Sequence, residues 1–266
     1  MSSLNYNSVM KDYIFKSGFT LSEVLITLAI VGIVAAMTIP TLVSKIQECQ
    51  FHVKWKECYA ILNNAFKLTV AENPKMVASE LNNYDLTREF IEEILKHVHV
   101  VDTCGVSKDF DNNICDNYAH YKDYQIKYKW SGVANIYSRY TTLAGGKLNA
   151  YDFNKKAVLL KNGASIYFGG LWSGLTIVVD VNNFNGGPNV IGKDVYAISM
   201  TKSGNYYNVQ YIEDLYFRPY GAEGTQTEIR GYQDCAADIG KTSGSSVDAL
   251  YEAPGAGCSF KYLNEK

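Results

Sequence analysis

The hydrophobic pattern begins with an almost unbroken block. From 19 to 43 the chain carries one charge, Glu23, among apolar and small residues. About 25 such residues are enough for a helix to cross the hydrocarbon core of a bilayer. A stripe at helical spacing follows: Phe51, Trp55, Cys58, Leu62, Ala65, Phe66 and Thr69, with Lys54, Lys56, Glu57 and Lys67 on other faces. Asn73 and Pro74 supply the stop. The pattern predicts one helix over 19–72, roughly 80 Å long at 1.5 Å per residue. Its first part is apolar all round and its second is amphipathic. Gly32 lowers helix propensity, and Pro40 removes a hydrogen bond and crowds the preceding turn. The stretch 32–40 is therefore expected to bend or unwind locally.

Beyond residue 73 the period shortens. Residues 85–97 read as a short amphipathic helix, with Asp85 as a cap and Leu86, Phe90, Ile94 and Leu95 on one face. His97 and His99 follow as alternating, solvent-facing positions of a strand, with no third metal ligand in view. Residues 157–161 and 164–168 flank Asn162-Gly163, which predicts a hairpin closed by a type I′ turn. Strands are expected at 175–181, 195–201 and 206–212, spaced closely enough for antiparallel pairing. The glycine- and serine-rich tail, 221–257, reads as loop. The fold class is α+β: a long N-terminal helix packed on an antiparallel sheet head.

Composition changes this picture in one respect. The net charge is −2 with no basic block, which argues against a nucleic-acid partner. No Gly-x-Ser-x-Gly, P-loop, His-Glu-x-x-His or Cys-x-x-Cys motif is present, so nothing points to an enzyme. Trp130, Trp172 and many tyrosines serve a core as well as they would a binding face.

The block itself holds the candidate chemistry. A carboxylate inside hydrocarbon costs about 2.5–3.5 kcal/mol on insertion scales, which makes Glu23 a functional candidate. Lys11 and Lys16 precede the block and no further charge follows Glu23 until Lys45, so 1–18 should stay cytoplasmic and the head should face outward. A secretory signal peptide cut after Val34-Ala35-Ala36 is the competing reading. It leaves Glu23 unexplained, and the helical pattern runs past residue 36 unbroken.

At Gly18, Phe19, Thr20, Leu21, Glu23 and Pro40 the sequence resembles the type IV prepilin family, which includes type IV pilins and the pseudopilins of type II secretion. The resemblance implies a leader at 1–18, an assembly and membrane helix at 19–43, an amphipathic half at 44–72 and an extracytoplasmic head at 73–266. It implies that a membrane prepilin peptidase cuts after Gly18 and methylates the new amine of Phe19. Glu23 would then pair with the amine of a neighbouring subunit, and the 32–40 segment would adapt to packing in a fibre. The partners are the peptidase, other pilin or pseudopilin subunits and the bacterial inner membrane. The length suggests a minor or tip subunit. The alternative is a membrane-anchored binding or adhesion protein that does not polymerise.

Two further sets of residues remain. Six cysteines in an exported chain suggest disulfides. Cys49 and Cys58 lie about 13 Å apart on one helix, too far to bridge. They are expected as small buried thiols or as links between subunits. Of about fifteen full pairings, those joining Cys49 to Cys58 drop out; local loops Cys104–Cys115 and Cys235–Cys258 are the expected pairs, and the connectivity stays open. Between two strands, the loop 180–194 offers oxygens from Asp180, Asn182, Asn183, Asn185, Asn189 and Asp194 among glycines. It resembles a loop of pseudopilin-like heads, some of which bind calcium nearby. Asp180, Asn182 and Asp194 are therefore candidate calcium ligands, against the simpler reading of a loop stapled by Asn and Asp turn bonds.

Overall fold

The computed structural model describes residues 18–76, 84–105, 140–146, 156–169, 175–183, 186–201, 215–223, 225, 228, 234–236 and 252–265. The chain divides into two units, Met1–Ile46 and Gln47–Lys266.

In the first unit the predicted helix forms as α1, Leu21–Glu72, which continues into the second unit. From 18 to 46 every residue except Ala35 is exposed, including the large apolar side chains. The expected unwinding at 32–40 is absent, and the helix is unbroken through Gly32 and Pro40. One proline removes only one ladder bond. Nearby, the Thr38 hydroxyl donates to Val34 O at 3.0 Å and the Thr41 hydroxyl to Thr38 O at 2.8 Å, so carbonyls on both sides of the gap gain extra donors.

In the second unit the amphipathic half of α1 buries Trp55, Cys58, Leu62, Ala65, Phe66 and Thr69, the stripe its spacing predicts. The stripe packs in one core with α2, Tyr84–Lys96, and a six-stranded sheet. The strands are β1 Val100–Gly105, β2 Lys156–Leu160, β3 Ser165–Gly169, β4 Leu175–Asp180, β5 Val195–Thr201 and β6 Tyr216–Pro219. Each pairs antiparallel with the next, a meander in sequence order. Alternation sends Ile166, Phe168, Ile177, Val179 and Ile198 into the helix-side core. The other face carries Ser165, Tyr167, Thr176 and Asp180, also buried, beneath Tyr140 and Tyr220. That is why β3 and β4 are buried at every position.

Several expectations need correction. The β2–β3 hairpin forms, but its turn is not type I′, which requires positive φ at both central residues. Gly163 has φ of 87°, whereas the only non-glycine residues with positive φ among the described residues are Asn183 and Asn189. The loop instead spans Lys161, Asn162 and Gly163: Gly163 N–H bonds Leu160 O at 3.0 Å and Leu160 N–H bonds Ala164 O at 2.9 Å. The Asn162 carboxamide oxygen accepts Ala164 N–H at 3.2 Å and fixes this form. His97 and His99 lie in the turn after α2, ahead of β1, rather than in a strand. His97 is partly covered and reaches Glu72. Cys49 is exposed, not buried, because it lies off the stripe, while Cys58 is buried and its thiol pKa is pushed up to about 11 by desolvation. The strand expected at 206–212 lies outside the described residues.

The end of the chain adds α3, Cys258–Asn264, which the sequence reading did not anticipate. It is tied on by a Cys235–Cys258 disulfide, by Trp55 Nε1 donating to Ser259 O at 2.9 Å, and by Ala197 N–H donating to Ser259 Oγ at 2.9 Å. The Trp55 ring also stacks on Tyr196 at 4.8 Å. Trp55→Ala should therefore destabilise the head by about 3–5 kcal/mol, read as a lower denaturant midpoint. Val53→Ala on the exposed face should stay within about 0.5 kcal/mol of the parent. Equal midpoints for the two variants would contradict this packing.

Candidate functional site

The N-terminal site is built by the first turn of α1. Gly18, Phe19 and Thr20 precede the helix and are exposed. A Cβ added at Gly18 would meet nothing within 4 Å, so the fold itself does not require glycine there. Thr20 is the residue before the helix and Glu23 is its third position. The Glu23 carboxylate accepts the Thr20 N–H and the Thr20 hydroxyl, both at 2.8 Å, and the Thr20 Oγ1 accepts the Glu23 N–H at 3.2 Å. This is a reciprocal capping box, which satisfies two otherwise orphaned donors and places a negative charge at the positive end of the helix dipole. Hydrolysis of the Gly18–Phe19 bond would leave all three hydrogen bonds in place. The sequence reading singled out Glu23 and matched Thr20 to the motif but missed the capping role of Thr20, although Thr-x-x-Glu ahead of an apolar run is a legible signal.

The loop 180–194 lies at the end of β4. The Tyr140 hydroxyl donates to Asp180 Oδ2 at 2.8 Å and lies 3.0 Å from the Tyr167 hydroxyl. Asp180 Oδ1 accepts Asn182 N–H at 3.3 Å. Asp194 accepts Asn189 N–H and Val190 N–H, each at 2.8 Å. The loop so held carries the strap 140–146, through Thr141 N–H to Asn189 O and Ile191 N–H to Thr141 O, each at 2.9 Å. It also meets the C-terminal segment, where a Cβ on Gly192 would lie 2.7 Å from Gly255 O and 2.8 Å from Cys258 Sγ.

Among the described residues this donor set does not fit calcium. All four carboxylate oxygens already accept a protein N–H or O–H, and no third carboxylate, histidine or cysteine completes a metal cluster among the described residues. Ser165 Oγ and Asn182 Oδ1 are buried without a hydrogen-bond partner among the described residues, and such isolated amide and hydroxyl oxygens fall short of the six to eight ligands that calcium takes. Asp180 is wholly buried; desolvation first, and then the charge of Asp194, pushes its pKa up to about 7, against the Tyr140 and Asn182 hydrogen bonds. Burial raises Asp194 as well.

Of the other expected residues, Pro40 lies inside α1, Cys235 and Cys258 are bonded, Cys104 is a residue of β1, and Cys115 lies outside the described residues.

A long apolar N-terminal helix leading into an α+β head on an antiparallel sheet is a pilin-like fold. Residues 15–39 match the prokaryotic N-terminal methylation motif. The chain therefore carries the prepilin signal of type IV pilins and pseudopilins, the mark of a prepilin peptidase substrate. The match encloses Gly18, Phe19, Thr20 and Glu23 and stops one residue short of Pro40. No curated protein and no solved structure matches the chain.

Two outcomes follow from the loop. Calcium should leave the Tm of the head unchanged, and a rise of several degrees would show that a cation binds. The folded-state pKa of Asp180 lies above the ordinary 3.8, so its protonated form favours folding. That contribution is complete below about pH 4 and is lost as pH rises towards about 7. Asp180→Asn cannot titrate, so the stability of the parent relative to this variant should fall across that window. A pH-independent difference would contradict the buried carboxyl.

Proposed function

We propose that this chain is a structural subunit, cut between Gly18 and Phe19, methylated on the Phe19 amine and assembled through 19–43 into a type IV pilus or a type II secretion pseudopilus, as a minor subunit. In this reading 1–18 is the leader, 19–43 the membrane and assembly helix, 44–72 the amphipathic half and 73–266 the head. Before assembly the protein sits in the bacterial inner membrane with the head outside the cytoplasm.

The observation that carries the reading is Glu23, the one charge in an exposed helical stretch from 19 to 43 that is otherwise apolar or small and uncharged. In hydrocarbon an ionised carboxylate needs compensation. The capping box supplies two donors but no positive charge. The Phe19 amine freed by the cut supplies one, and the amine of an adjacent subunit would add the full pairing while fixing the axial register between helices. A plain membrane anchor needs only the capping box here, which an uncharged glutamine would close as well.

Glu23→Ala separates assembly from simple anchoring. The variant should insert in the membrane with the parent's topology and be lost from sheared fibres by at least about tenfold, the effect of about 1.4 kcal/mol. Equal incorporation, or no fibres containing the parent, would leave a non-polymerising binding or adhesion protein as the better reading.

A further inference from the structure

The head also carries an open groove of about 420 Å³ between α1 and the β2–β3 turn. Small-molecule sites run from roughly 300 to 1,000 Å³, usually apolar with a few placed polar groups. Here the floor is Ile61 of α1 and Leu160 of β2, and the rim is polar. The rim groups divide into two sets. The acidic set is engaged: Glu57 accepts the Asn162 carboxamide at 3.3 Å, and Glu72, just outside the groove, lies 3.1 Å from the His97 ring. The Lys161 ammonium and the His99 ring, both exposed, have no side-chain partner among the described residues. Lys161 N–H donates to His99 O at 3.1 Å, which starts the two side chains from adjacent points on the rim.

The unmet groups are thus the Lys161 ammonium and the His99 imidazole, beside an apolar floor. We propose that this groove binds a small amphipathic carboxylate, its carboxylate at Lys161 and His99 and its hydrocarbon body over Ile61 and Leu160. A ligand cation would find both carboxylates already occupied. A neutral apolar molecule would leave the Lys161 ammonium uncompensated, and a bare anion would leave the floor uncovered. Charge-assisted hydrogen bonds to the carboxylate are the strong contacts of such a complex. The proposal is independent of fibre assembly.

The test uses the full chain in detergent micelles with isotope-labelled histidine, its His99 resonance assigned with His99→Gln. Hexanoate is titrated beside hexan-1-ol and inorganic phosphate. Hexanoate should shift the His99 resonance saturably at millimolar concentrations, the weak range expected of so small a ligand. Hexanol and phosphate should bind at least about tenfold more weakly, the effect of one lost charge-assisted hydrogen bond. Lys161→Met, an exposed change that should leave the Tm unaltered, should weaken hexanoate by a similar factor. The proposal is overturned by no saturable shift, by hexanol matching hexanoate, by phosphate matching it (an adventitious anion only), or by unchanged binding in a folded Lys161→Met.

Discussion

A single helix has to meet two different surroundings, and the rest of the structure depends on how it does so. In its first unit α1 presents apolar side chains all round, which only lipid or other helices can cover. In its second unit the same helix narrows to one stripe, Trp55 to Thr69, that completes the core of the head. Burying that stripe fixes where the sheet, α2 and α3 can sit. The turn that starts the helix is secured by the Thr20–Glu23 box, so the first turn of this apolar stretch carries a carboxylate.

The second organising feature is polar and lies on the far face of the sheet. Asp180 and Asp194 hold the loop between them through N–H and O–H donors, and that loop in turn seats the strap 140–146 and the C-terminal segment with its disulfide. Two buried carboxylates without a facing cation are an expensive arrangement unless fully hydrogen-bonded. Here each oxygen has a donor, which accounts both for the persistence of the loop and for the poor fit of calcium to it. Close approach of Gly192 to Gly255 leaves no room for a side chain at either position.

How much of this was legible follows from the range of each interaction. The α1 stripe, α2 and the β2–β3, β4 and β5 strands were readable, because hydrophobic period and the Asn-Gly turn are local signals. The edge strands β1 and β6 were not; β1 carries Asp102 and Gly105 and β6 carries Arg218 and Pro219, residues that break a strand pattern. Turn type at the hairpin depended on one backbone angle at Asn162, which composition does not determine. Tyr140 and Asp180 meet across 40 residues, and the groove brings Lys161 of the hairpin to His99 ahead of β1. Such juxtapositions exist only after the sheet has formed. At the N-terminal site Gly18, Phe19 and Glu23 were readable as a motif, while the capping role of Thr20 was overlooked beside the larger question of a carboxylate in an apolar run.

The measurement that bears most directly on this account is the intact mass and N-terminal residue of the protein isolated from its own cells. The account predicts a chain that begins at Phe19 with one methyl group on its amine. A chain that begins near Met37 would mean a secreted soluble protein, and an uncut leader in a host that has the peptidase would mean a simple anchor; either result would contradict it.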